Sequence, residues 1–121
     1  MGAHRVPSDD PVTPIARLQA FNGSFALDNS LVALLSKANS RITSQSLKAS
    51  IPASIRVLQH ADPQVAWATL LVAAYLKVKL ANEKDIWEGI WEKAMRFVMD
   101  AVNGGPFIFS QLLDEAIKVV Q

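Results

Sequence analysis

The segment Val65 to Leu80, VAWATLLVAAYLKVKL, constrains the fold of this chain more than any other. It is apolar on nearly every side, with Trp67 and Tyr75 as its large members. A surface helix carries one apolar stripe, whereas a helix that is apolar all round must be enclosed by protein or lipid. The uncharged run from Val65 to Leu76 is shorter than the ~20 residues a membrane span needs. The segment therefore reads as a central buried helix, over about residues 63–81, in an all-α, compact bundle of five or six helices. Asp62 and Pro63 supply its start, as N-cap and first helical residue.

Period-3.6 patterning places the other helices around it. Thr13 and Pro14 open a first short helix that runs to Ala20. The Asn22–Gly23 pair then turns the chain. Asp28 or Asn29 caps a helix that carries Leu31, Leu34 and Leu35 on one face. Residues 39–50 are rich in Ser, Asn, Gln and Thr, and read as a surface loop with room for one helical turn. Pro52 starts a short helix with Ile55 and Leu58. After the central helix and a tight connection at Asn82–Lys84, an amphipathic helix spans about 85–102. Trp87, Ile90, Trp91, Ala94, Phe97, Val98 and Ala101 form its buried face. Asn103-Gly104-Gly105-Pro106 ends it. A last helix over about 109–120 turns Leu112, Leu113, Ala116, Ile117 and Val120 inward. Short connections around the two long helices favour antiparallel neighbours. No stretch shows sustained period-2 alternation, so no sheet is expected. Residues 1–14, with three prolines and paired aspartates, read as a disordered tail or linker before a single helical domain at 15–121.

Composition narrows the function classes. Half the residues are apolar, so a core can form, and 12 basic against 11 acidic side chains leave a net charge of +1. That balance carries no footprint for nucleic acid, and the polar faces lack the Lys/Arg enrichment of a membrane-surface helix. Arg41, Lys48 and Arg56 are too dispersed to form a stripe. There are no cysteines, which removes disulfides, thiolate zinc sites and cysteine nucleophiles. The opening stretch lacks the apolar segment of a signal peptide, and Met1-Gly2 is followed by no Ser or Thr at the sixth position, against a myristoylation signal. The expected setting is the cytoplasm.

Each candidate for chemistry has a plainer explanation. His60, beside Asp62, could do acid–base work, but no nucleophile accompanies it, and a turn residue is the preferred reading; His4 falls in the tail. No helix carries an ExxH pair, and no metal or cofactor is implied. Gly104-Gly105 lacks the Lys-Ser/Thr of a phosphate loop and reads as a helix end. Trp67, Trp87 and Trp91 at helical spacing read as core, together with Leu70, Leu71 and Ala74, although they could line a pocket. Gly89 sits mid-helix, where close approach of a neighbouring helix is the preferred explanation and a docking groove the alternative.

Two motifs carry a family resemblance. Leu18-Gln19-Ala20-Phe21-Asn22-Gly23-Ser24-Phe25 resembles the LQ-x-x-D-G-S-[FW] opening of the C-terminal helical region of proteins that pair a vault protein inter-alpha-trypsin (VIT) domain with a von Willebrand factor A domain. The same region is similar to the C-terminal part of vault poly(ADP-ribose) polymerase. Val65 to Leu76 resembles that region's VWATALAVAFL helix, and Lys84-Asp85-Ile86-Trp87 with Glu92-Lys93-Ala94 its KDEW…EKA segment. Asn22 stands where the family has Asp, and Asn makes the same turn bonds. No D-x-S-x-S metal-adhesion motif appears, so the activities of the family's other domains do not carry over. The resemblance implies a non-catalytic protein–protein interaction or scaffolding module with a protein partner whose identity the sequence does not give, the major vault protein being a candidate by resemblance only. The alternative is a fragment of an enzyme or a small-molecule-binding helical domain with a Trp-lined pocket.

The Gln19 and Gly23-Ser24-Phe25 spacing also resembles the QW motif of triterpene cyclases, where the Gln and the aromatic tie a helix end to its neighbour; no DxDD acid motif accompanies it. The likeness implies that Gln19, Asn22, Gly23 and Phe25 form a structural turn, with Gln19 bonded to its backbone and Phe25 inward. Phe107, Ile108 and Phe109 are the candidate partner surface. Three consecutive large apolar residues after a Gly-Gly-Pro break cannot all enter one core, so at least one should be exposed.

Overall fold

A computed structural model describes residues 12–37, 40–59 and 61–121. His4, His60, Ala38, Asn39 and the first eleven residues of the expected tail lie outside the described residues. Within them the chain forms seven α-helices and no strand: α1 (Val12–Leu18), α2 (Asn29–Ser36), α3 (Ser44–Ala49), α4 (Ala53–Arg56), α5 (Pro63–Lys79), α6 (Lys84–Val102) and α7 (Pro106–Val120).

Helix α5 is the axle of the bundle. Every residue from Ala66 to Leu76 is buried. Four alanines and one threonine in that run let neighbours approach from all sides, and α7, α6, α2 and α4 all do so. Asp62 caps the helix by accepting a hydrogen bond from the Gln64 N–H at 2.9 Å, and Pro63 occupies the first turn, where a missing N–H is no loss. Trp67, Leu70, Leu71 and Ala74 share one core cluster with Trp87, Phe25, Leu35, Leu47 and Leu113. The Trp67 indole N–H is not wasted, since it donates to Ser50 Oγ at 2.9 Å. The buried phenol of Tyr75 has its pKa raised by desolvation, away from the neutral range in which acid–base catalysis works.

Four expectations change. The first helix starts at Val12, not Pro14, and Val12 is buried, so residues 12–14 belong to the folded region and not to the tail. Ending at Leu18, it leaves Gln19 free to turn. The expected loop at 39–50 contains α3, whose Thr43 and Ser46 form a reciprocal capping box; Ile42 and Leu47 anchor it in the core. The Arg56 guanidinium donates to the carbonyls of Ile51 at 2.8 Å and Ala49 at 3.0 Å, which gives that cation a structural task. Helices α5 and α6 are not antiparallel: a 3-10 turn at Ala81–Glu83 swings the chain through 93°. The Trp87 indole N–H locks this corner by donating to the Leu80 carbonyl at 2.6 Å. Finally, α7 begins at Pro106, because Pro after Gly105 does not merely end one helix but presets φ for the next. The left-handed residue that ends α6 is Asn103 (φ 53°), with the Gly104 N–H closing onto the Met99 carbonyl at 3.0 Å.

Among the described residues no single helix is long and apolar enough to cross a membrane.

Candidate functional site

The motif turn is a three-way junction. Asn22 Oδ1 accepts from the Ser24 N–H at 3.1 Å and from Ser24 Oγ at 2.7 Å, making an Asx turn. Gly23 adopts φ +93°, and a Cβ built there would fall on the Lys93 carbonyl of α6. Gln19 Nε2 donates to the Gly23 carbonyl at 3.0 Å and reaches the Ile90 carbonyl of α6 at 3.1 Å. Phe25 is buried, and its N–H donates to Thr69 Oγ1 of α5 at 3.0 Å. Thr69 Oγ1 in turn donates to the Val65 carbonyl at 2.8 Å. Gln19, Asn22, Gly23 and Phe25 thus weld the α1–α2 connection onto both long helices. The links to Ile90 and Thr69 are tertiary, and local spacing does not reveal them.

Among the described residues, a lone exposed Val57 apart, three apolar features stand on the surface. The first is the expected one, on the opening turn of α7. Phe107 is 73% exposed and Ile108 38%, whereas Phe109 is 3% exposed. Phe109 therefore leaves the candidate surface. One helical turn cannot aim three consecutive side chains the same way, and Phe109 is the one aimed at the core. It meets Trp91 edge-on, with ring centroids 5.7 Å apart at 90°.

The second feature corrects the placement of Trp91. That ring is half-buried at the rim of the core, not inside it. It lies 5.7 Å from the buried Trp87 ring, tilted by 49°. Trp87, Trp91, Met95 and Ala81 line a groove of about 500 Å³, edged by Lys77, Lys84, Glu88 and Glu92. No buried polar side-chain atom lacks a partner among the described residues, and the Trp87 N–H is already engaged by Leu80.

The third feature was not expected. Phe21 is 97% and Ile86 55% exposed, and both border a second hollow of about 530 Å³ with Ala16, Ala20, Gly89 and Ile90. Ile86 lies off the buried stripe of α6, which is the pattern that could have revealed it. Nothing stands within 4 Å of a Cβ built on Gly89. Close helix packing among the described residues therefore does not explain this glycine, which faces an open hollow. Gly89→Ala should raise stability by about 0.5–1 kcal/mol, since Ala is the better helix former and here meets no obstacle. The check is a higher urea midpoint with an unchanged m-value; a lower midpoint would mean the site is crowded after all.

No group of three or more His, Asp or Glu side chains is placed to hold a metal ion among the described residues. What the described surface offers is apolar contact area beside mixed charges.

Comparison with known proteins gives a consistent but distant relationship. The chain is 28% identical over 116 residues to mouse von Willebrand factor A domain-containing protein 5A, an alignment covering 96% of this chain and 13% of that protein. It is 31% identical over 102 residues to the rat protein of the same description, covering 84% of this chain and 11% of that protein. The chain thus spans a small part of the length of the relatives it matches, and is similar to a segment of a von Willebrand factor A domain-containing protein. No protein-family model and no solved structure matches it.

Proposed function

We propose that this chain is a non-catalytic protein–protein interaction or scaffolding module, of the kind its motifs resemble at the C-terminal end of VIT and von Willebrand factor A proteins. The observation that carries this reading is the opening turn of α7, where Phe107 stands 73% exposed beside Ile108 while Phe109 fixes the turn against Trp91. Exposed aromatics on a rigid support lose little entropy on docking and are frequent interface anchors. The partner is a protein, and the major vault protein is a candidate by resemblance alone. Nucleic acid and membrane are not the proposed partners. The proposed setting is cytoplasmic.

The test is a substitution that separates folding from binding. Phe107→Ser should shift stability by less than about 0.5 kcal/mol, as for other surface changes. It should also abolish the protein partner captured by the unaltered chain, and binding to purified major vault protein if that is the partner. Full binding by Phe107→Ser and by Ile108→Ser would reject this surface.

A second reading, a small-molecule site, is favoured by the Trp87–Trp91–Met95 groove, whose volume falls in the ~300–1,000 Å³ range of ligand pockets. It ranks second because the groove has no buried, unengaged polar group to fix a ligand's orientation. Saturable quenching of tryptophan fluorescence by an apolar probe such as anilinonaphthalene sulfonate, lost in Trp91→Ala, would promote it.

A further inference from the structure

The flank of α6 around Gly89 carries a patch that is complementary to itself. Phe21 projects from the motif turn with 97% of its surface exposed, a knob without a socket. Beside it lies the hollow over Gly89, walled by Val12, Thr13, Ala16, Ile86 and Ile90 and, among the described residues, a socket without a knob. Knob and socket on one patch are what a two-fold interface requires, because the same surface must serve both partners. The charges obey the same symmetry. Asp85 and Lys93 are both exposed, and each lies four residues from Gly89 on α6, one on either side. An antiparallel crossing centred on Gly89 therefore places Asp85 of each copy opposite Lys93 of the other.

We propose that this chain self-associates as a two-fold dimer, the two α6 helices crossing antiparallel at Gly89. The missing Cβ lets the backbones approach, and Phe21 of each copy rests in the hollow between Ile86 and Ile90 of the other. Two Asp85–Lys93 pairs fix the direction of the crossing. A net charge of +1 adds little repulsion between copies. No residue of α7 lines this hollow, so the proposed dimer leaves the docking turn at Phe107 and Ile108 to another partner.

Sedimentation equilibrium over a concentration series up to about 1 mM reads the proposal directly. The mass should rise from the 13.2 kDa monomer toward twice that value. Phe21→Ser and Gly89→Leu should each weaken the dimer at least ~10-fold, about 1.4 kcal/mol, with the helical circular dichroism unchanged. Asp85→Lys should weaken it too, and Lys93→Asp added to that variant should restore it; Phe107→Ser should leave it intact. A chain that stays monomeric throughout overturns the proposal. So does a dimer indifferent to Phe21→Ser and Gly89→Leu, or a charge reversal that fails to rescue. A monomer that loses a foreign protein partner on Gly89→Leu assigns the groove to that partner and overturns self-association.

Discussion

Trp67→Ala should cost about 3–5 kcal/mol, most of the margin of a domain whose total is of order 5–15 kcal/mol. The indole is fully buried in the middle of the helix that every major neighbour packs against. Its removal leaves a cavity among residues that belong to several elements at once, so no single helix can shift to fill it. The loss has a polar part as well. The indole N–H donates to Ser50 Oγ, at the end of α3, and truncation removes that bond, leaving the hydroxyl only the one it donates to the Leu47 carbonyl. The expected result is a urea or thermal midpoint far below that of the unaltered chain. Trp67→Phe, which keeps most of the volume and loses the hydrogen bond, should fall between the two. A Trp67→Ala variant that melts like its parent would mean that α5 is not the centre of the core. Trp91→Ala is the useful contrast. That ring is half-buried at the rim, its loss opens the groove to solvent instead of creating a closed cavity, and it should cost clearly less.

The difference between these two tryptophans marks how far the sequence can be read. An all-round apolar run has only one enclosed environment open to it, so Val65–Leu80 names its own place. The faces of α6 do not, because amphipathicity assigns a stripe without saying where the stripe's edge meets water. Trp87 falls inside that edge and Trp91 on it. The Ser- and Thr-rich stretch before Pro52 hid α3 because its capping box uses Ser46 in the position where Glu or Gln is usual. In that stretch composition pointed to a loop while two residues, Ile42 and Leu47, supplied the anchorage. The candidate surface divides in the same way. That Phe107, Ile108 and Phe109 could not all enter the core follows from chain geometry alone. Which one does depends on Trp91, a contact between two helices. Gly89 was legible only as an anomaly. A glycine in mid-helix demands an explanation, but whether its missing side chain makes room for a neighbour or leaves a hollow is decided by where α1 and the motif turn lie.

The motif turn is where sequence and tertiary structure are bound most tightly, and Gly23→Ala is the change that exposes it. Glycine is required there twice. Its φ of +93° lies in a region that L side chains rarely adopt, and a Cβ would fall onto the Lys93 carbonyl, with the carbonyl carbon only 2.7 Å away. A backbone carbonyl inside a helix cannot swing aside as a flexible side chain would. The turn must therefore lift off α6. Lifting it breaks the half-buried Gln19 hydrogen bond to Ile90 and strains the fully buried one from the Phe25 N–H to Thr69. Backbone strain of this kind costs about 1–3 kcal/mol before any hydrogen bond is lost, so a total of about 2–4 kcal/mol is expected. Asn22→Asp is the control. Its carboxylate can accept the same bonds from Ser24, and it should be nearly neutral in stability. The two variants together separate a turn that matters for its backbone geometry from one that matters for the chemistry of its side chain. Near-wild-type melting of Gly23→Ala would show that the turn is not anchored to α6. The consequence for function is direct. Phe21 stands between Gln19 and Asn22, so its projection beside the hollow over Gly89 depends on this anchorage, and Gly23→Ala should weaken self-association through a residue that touches no partner.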